Sequence, residues 1–464
     1  MSAASGLPNE QTALNPPAAS ASSRAVPWLT VVAIIFLRGM NIYAWTFNGN
    51  IIDDIQSGLN ASVASTGQGP AMLEAGIVVS CVAISPISDT AGAANRKHLT
   101  LAMAVGWSLS VAVVMLASTP AAYVVPQFFA GLFSAQFGTL GMRAIADLEP
   151  DNPASRSRLV AITGMSNGIF SIIAPLLSGL LVDCFHEWQG AFVGSAVLGA
   201  ALVLLVWMFY PSEAAAAAAD TEVRAVSAWD KCSSSVDIYR TLLTSPRFLS
   251  YGASDFFVHG PVYVWGWGAS YMLQDRFGYS SFDASVTYTC VVGIPLVLGS
   301  LLTPSAYWLL GERGAYVMMS VAVIAFGMVD AAVGYLLLQP GTSAQLQTVF
   351  ITATTCLFLA WAIVITAMYD LAIRDVPQYA ATAVGIIFIT QSLGSILFAE
   401  LFAAPAIDPS NPMVIGFLMG GASTAGLATY LIFDRIAAAQ QPPTRDDLAF
   451  ETERERESRK ESKV

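Results

Sequence analysis

A chain of 464 residues with 55% hydrophobic and only 11% charged side chains, at a mean hydropathy of +0.60, is too apolar for an ordinary water-soluble domain, where charged residues make up about 25%. The formal net charge of −11 says little about partners, since the tails carry many of the acidic residues, and no basic patch supports nucleic-acid binding. The chain shows no nucleotide-binding loop, no metal-ligand spacing and no nucleophile–base pair, so neither an enzyme, a metal site nor a cofactor is expected.

The elements follow in chain order. Residues 1–25 are polar and rich in Ala, Ser and Pro. They lack the layout of a cleaved leader, so the first apolar run is expected to stay as a span. About 20 apolar residues of helix cross a bilayer core of about 30 Å. Backbone groups inside that core must be satisfied internally, by helices or a closed barrel. The runs here do not alternate in polarity, so helices are predicted. Twelve are predicted, over roughly 27–48, 70–92, 99–118, 122–145, 159–182, 190–210, 248–273, 284–310, 315–338, 346–371, 378–405 and 412–435. The expected fold class is an all-α membrane protein, with lipid as its surroundings. Its expected parts are a tail (1–25), a six-helix half (26–210), a polar linker (211–246), a second six-helix half (247–436) and a second tail (437–464).

Lys and Arg set the orientation. With both termini in the cytoplasm, the outer loops contain a single basic residue, Arg276, and Arg38 lies inside a span. The other 19 of the 21 basic residues fall in tails, inner loops or inner helix ends, as the positive-inside rule requires. The choice between the plasma membrane and an endolysosomal membrane stays open. The triplet Asn60-Ala61-Ser62 is a glycosylation sequon on a predicted outer loop. Five cysteines, at 81, 184, 232, 290 and 356, suggest no disulfide. In the linker, "WDKCSSSVDIYRTLL" can form a short amphipathic helix on the inner membrane face.

A buried charge in a span costs a few kcal/mol and is usually turned inward and paired. Arg38 lies about 16 Å into the first span, and Asp255 and His259 about 10 Å and 17 Å into the seventh, at 1.5 Å per residue. Asp255 and His259 are four residues apart and share a helix face. Arg38 is therefore expected at the depth of Asp255 and His259, turned inward toward one of them. The alternative is a packing residue satisfied by backbone carbonyls. Asp255 with His259 is a structural ion pair or a substrate and proton site, since histidine titrates near neutral pH. Asn41, Gln136, Asn167, Trp361 and Gln391 are further cavity candidates, with helix-to-helix ties as the competing role. Glu74 and Glu400, near the outer ends of spans two and eleven, are a second proton-coupling candidate if brought together; plain solvation is the alternative. Asp89, Arg96, Lys97, Asp147, Arg156 and Arg158 are candidates for an ion network closing the inner face.

The plan of six spans, a cytoplasmic loop and six spans resembles the major facilitator superfamily, whose halves contain nested repeats. "SPISDTAGAANRKHL" is similar to that family's loop motif between spans two and three, through Asp89 and Arg96-Lys97, with Ser85 where the family has glycine. "GIFSIIAPLLSGLL" resembles its span-five pattern through Gly168, Pro175 and Gly179. The first half also resembles the Spinster-like branch, which moves lysolipids and related amphiphiles: Asn41 and Asp54-Ile55-Gln56 match, as do Trp107-Ser108, Gly131, Ile145-Ala146-Asp147 and Arg156-Ser157-Arg158. The branch's coupling residues are replaced, by Ala44-Trp45, Gln127 and Ser134. The resemblance implies a major facilitator fold of two pseudo-symmetric halves whose first and seventh spans line a central cavity, so that Arg38 is expected to face Asp255 or His259 across it, and a monomeric secondary transporter for a small, anionic or amphiphilic solute, with or without a coupled proton. The alternative is a sensor or scaffold that keeps the fold without transport.

Overall fold

The computed structural model describes residues 28–149, 152–211, 228–339, 344–402 and 411–440. The first tail, most of the linker's first half and nearly all of the second tail lie outside them. All the long elements among the described residues are helices: α1 (Trp28–Asn50), α2 (Ile52–Gly58), α3 (Val63–Thr90), α4 (Ala93–Val114), α5 (Pro120–Leu148), α6 (Pro153–Phe185) and α7 (Trp188–Phe209). The linker contributes α8 (Ala228–Leu243). Then come α9 (Pro246–Tyr271), α10 (Ser281–Tyr288), α11 (Ile294–Leu310), α12 (Glu312–Leu337), α13 (Ala344–Asp375), α14 (Ala380–Phe402) and α15 (Pro412–Gln440). Ten helical stretches are long and apolar enough to cross a membrane. With α5 and α9, 29 and 26 residues long, they occupy the positions of the twelve predicted spans.

The helix starts are written locally. The side chains of Ser62, Thr119 and Asn152 accept hydrogen bonds from Ser65, Ala122 and Ser155 backbone N–H groups. Pro120 and Pro153 follow directly, where a missing N–H costs nothing and φ is preset. The eighth span is α10 and α11 joined by a π-turn, Thr289–Gly293. That extra residue falls where α6 comes closest: a Cβ on Gly168 would overlap the backbone of Gly293 and Val297, and one on Gly293 would overlap Ile172. Only glycine permits this approach.

Helices of the first six-span stretch pack mainly among themselves, α1 on α6, α3 on α5, and α4 on α5 and α7. In the second, α9 packs on α14 and α15, and α12 on α13 and α15. Two seams join the groups: α3 and α5 against α14, and α6 against α11. At the first seam Ser85 fits against Gly385 of α14, whose Cβ position would lie 2.6 Å from the Ser85 Oγ. The glycine missing from α3 is thus supplied by the helix opposite.

Candidate functional site

Arg38 is buried at mid-helix in α1. Its Nη1 donates to the Thr163 Oγ1 of α6 at 2.7 Å, and its guanidinium lies over the Tyr369 ring of α13, 5.8 Å from the centroid. The expected direct contact with Asp255 or His259 is replaced by an indirect one. The Tyr369 hydroxyl and the Gln391 amide of α14 exchange hydrogen bonds at 3.0 and 3.2 Å. Gln391 Nε2 lies 3.0 Å from His259 Nδ1, and that nitrogen is 3.4 Å from Asp255 Oδ1. The Trp361 ring packs edge-on against His259, 4.7 Å between centroids. Four helices thus connect a cation on α1 to an acid and imidazole on α9 through a phenol and an amide. Tyr369 and Gln391 stand between the two charged ends, each hydrogen-bonded to the other.

Within this centre Asn41 Oδ1, Asp255 Oδ2 and Trp361 Nε1 are buried with no hydrogen-bond partner among the described residues. Asn41 follows Arg38 by three positions on α1, and Asn167, half-buried, follows Thr163 by four on α6, so each shares a face with its neighbour. An unpaired buried polar atom costs on the order of 1–3 kcal/mol. Such atoms are donors and acceptors available to a small ligand.

The end of the bundle near α8, here the linker side, is closed by Asp89. Its carboxylate accepts from the backbone N–H groups of Ala381 and Thr382 at 3.0 and 2.7 Å, and from the Thr382 hydroxyl at 2.6 Å. An acid of α3 thereby caps the N-terminus of α14, where the helix dipole favours negative charge. Arg143 of α5 binds the Gln378 carbonyl at 2.6 Å, Asp147 at 3.0 Å and Asp89 at 3.5 Å; Arg96 reaches Asp147 at 2.9 Å. Next to the second seam α6 also reaches α13, Ser157 Oγ donating to Asp370 at 2.6 Å, with buried Arg156 interacting electrostatically with Asp370. Arg247 and Tyr251 of α9 both hold Asp375, each at 3.0 Å.

On the far side Asn50, the last residue of α1, ties that helix to two others. Its amide donates to Pro175 O and Ser178 Oγ of α6 at 3.2 and 3.1 Å, and its Oδ1 accepts from Ser285 Oγ of α10 at 3.1 Å. Beside it a cavity of about 40 Å³ is lined by Asp54, Asp183, Pro175, Gly179 and Ser285. Burial, reinforced by the neighbouring Asp183 charge, raises the Asp54 carboxyl above the usual carboxylate range.

Several expected residues sit elsewhere. Gln136 is fully buried against α3, donating to Ser80 O and Oγ at 3.1 and 2.9 Å and accepting from Thr139. It ties two helices of one half, and Gln127 does the same with Asn48 by two reciprocal bonds of 3.2 Å. Glu74 is buried while Glu400 is exposed, so the two carboxylates occupy unlike surroundings. Of the expected inner network, Lys97 is half-buried and Arg158 exposed, and the hub is Arg143 instead. Asn60 is exposed at φ 47° just after α2. Asp330 of α12 receives the Thr354 hydroxyl at 3.0 Å. Arg143, Thr382, Thr163 and Asn50 escaped the sequence reading because their partners lie on other helices, up to 293 positions away.

A bundle of membrane-crossing helices in two packed groups, tied across at both ends around a buried polar centre, is the build of a membrane transporter. The family model of the Major Facilitator Superfamily matches residues 31–399, and the chain belongs to that superfamily. Two relatives stand out in sequence. The uncharacterized MFS-type transporter YdgK of Bacillus subtilis is 24% identical over 376 residues, 79% of this chain and 87% of that protein. The transcription regulatory protein OpdE of Pseudomonas aeruginosa is 27% identical over 182 residues, 39% of this chain and 43% of that protein, so the match spans less than half of that relative. In fold the chain is similar to the human organic anion transporter MFSD10 (TETRAN), with a TM-score of 0.57 at 14% identity, covering 88% of this chain and 99% of that one. These matches support the superfamily; the Spinster-like resemblance of the first half rests on the residues quoted for it alone.

Proposed function

We propose that the protein is a monomeric secondary transporter that carries a small organic anion, or an amphiphile with an anionic head, by alternating access, with both termini in the cytoplasm. The observation that carries this reading is the chain of contacts from Arg38 through Tyr369 and Gln391 to His259 and Asp255. A buried guanidinium whose hydrogen bond goes to a neutral hydroxyl is costly, and a carboxylate or phosphate would neutralise it through paired N–H donors. Asp89 on one side and Asn50 on the other supply contacts that must break in turn for the centre to open first one way and then the other. A ligand drives that exchange only through its different affinity for the two states.

The same contacts suggest how a proton enters the cycle. His259 Nδ1 faces both the Gln391 amide nitrogen and Asp255. Placing a proton on Nδ1 turns it from acceptor to donor. The Gln391 amide must then rotate, which alters its exchange with Tyr369 and so the ring beneath Arg38. Uptake into proteoliposomes tests this directly, with carboxylates, phosphates and lysolipids, each with and without an imposed pH gradient. Transport of none of them in correctly folded protein would overturn it. A second reading, a membrane sensor without transport, draws on the regulatory name of the Pseudomonas relative and on the replaced coupling positions Ala44, Gln127 and Ser134. Ligand binding without translocation in the same vesicles is its signature.

A further inference from the structure

Tyr239 of the linker helix α8 reaches into the side of α3. Its hydroxyl donates to the carbonyls of Cys81 and Val82 at 2.9 and 3.1 Å, a hydrogen shared between two acceptors. Four residues on from Val82 is Pro86, inside the same helix. Proline has no N–H to give the carbonyl four positions back, and its ring pushes that carbonyl aside. The phenol therefore caps the backbone group that Pro86 leaves open, about 12 Å from the end of α3 at 1.5 Å per residue. Such a group has few other partners within a membrane.

The position of α8 gives this bond a consequence. Ile238 and Leu242 are buried against the bundle, and α8 touches α3 of the first group as well as α9 and α14 of the second. It straddles the seam that Asp89 closes. We propose that α8 is a strap across the linker-side seam, and that Tyr239 is the positioning residue that pins it to α3 through the carbonyl freed by Pro86. Parting α3 from α14 strips the phenol from that carbonyl or drags α8 off α9 and α14. The linker helix thereby sets how readily this side opens. This deepens the two-gate reading above.

Cys81 supplies a built-in probe. Its side chain is fully buried, and its Cβ lies 3.7 Å from where a Cβ on Gly385 across the seam would stand. In full-length protein in nanodiscs, with the other four cysteines replaced by serine, the rate of Cys81 alkylation by a maleimide reports seam opening and requires no transport. Its outcome is therefore separate from that of the uptake assay. Tyr239→Phe keeps the ring and removes the hydroxyl, and is expected to raise the rate about tenfold, the worth of one hydrogen bond to an otherwise open group. Pro86→Ala restores an amide to Val82 and leaves Tyr239 only its bond to the Cys81 carbonyl, so adding Tyr239→Phe in that background is expected to raise the rate by clearly less than it does in the parent. An unchanged rate in Tyr239→Phe, or an equal rise in both backgrounds, overturns the proposal. Should Tyr239→Phe fail to fold, recovery of folding by Pro86→Ala supports it and continued failure overturns it.

Discussion

Asp89 and Thr382 lie 293 positions apart in sequence and meet at 2.7 Å, the carboxylate of one helix accepting the first amides of another. The contact is an N-cap supplied in trans. It satisfies donors that the α14 N-terminus cannot satisfy itself, and it does so only while the two groups of helices stay together on that side. Asp89→Ala is expected to cost about 1–2 kcal/mol, the usual worth of a cap, and to open the linker side. A lower thermal midpoint together with faster Cys81 alkylation is the expected result. Parental values for both would remove Asp89 from the gate.

Arg38→Lys is expected to reduce transport more than tenfold with the fold intact. The ammonium keeps the charge but loses the planar fork and the stacking on Tyr369. Arg38→Ala is expected to abolish transport while shifting the thermal midpoint little, because losing packing is offset by no longer burying a cation. Uptake rates and melting curves on the same preparations check both. Normal uptake in either variant would contradict an anion site.

Gln391→Leu cuts the connection between His259 and Tyr369. Substrate binding is expected to survive with affinity within about threefold, and the response of uptake to an imposed pH gradient is expected to vanish, since an indirect contact contributes coupling more than affinity. Isothermal binding and uptake with and without the gradient distinguish the two effects. A gradient response that persists in this variant would place the proton path elsewhere.

Asp54 gives a pH dependence with a definite sign. Its carboxyl is raised from the ordinary 3.8 by burial and then by Asp183, so the folded state holds a proton more tightly than the unfolded chain does. Its stabilising contribution is complete below the unfolded value and is lost as pH rises through the folded one. Asp54→Asn mimics the protonated form. It is expected to raise the thermal midpoint at pH 7 by about 1–2 °C, a small shift because the group is partly solvated. The advantage should shrink toward pH 4, and a gain that is constant with pH would argue for packing instead.

Some of this was legible in the residues. The apolar runs marked where helices lie, because each span must satisfy its own backbone in lipid. Arg38, Asp255 and His259 stood out as charges or imidazole in apolar surroundings, and all three are buried. Asp89 stood out through its loop motif. Gln136 takes the helix-to-helix tie that was its competing role; an amide in a span looks the same in sequence whether it faces a ligand or a neighbouring helix. Lys97 is half-buried and Arg158 exposed, and positive charges near inner helix ends serve topology as well as gating.

The sequence by itself determined the membrane class, the approximate spans and the superfamily, because hydropathy and capping act within a window of one helix. Only the tertiary structure decided that Arg38 lies over Tyr369 rather than meeting Asp255, that Asp89 ends on the α14 amides, and that Tyr239 covers the carbonyl Pro86 leaves open. Those choices depend on the angle and depth at which separate helices cross. Crossing geometry is set by where glycines such as Gly168 and Gly385 let backbones approach. That is a property of pairs of surfaces, and no single stretch of chain contains it.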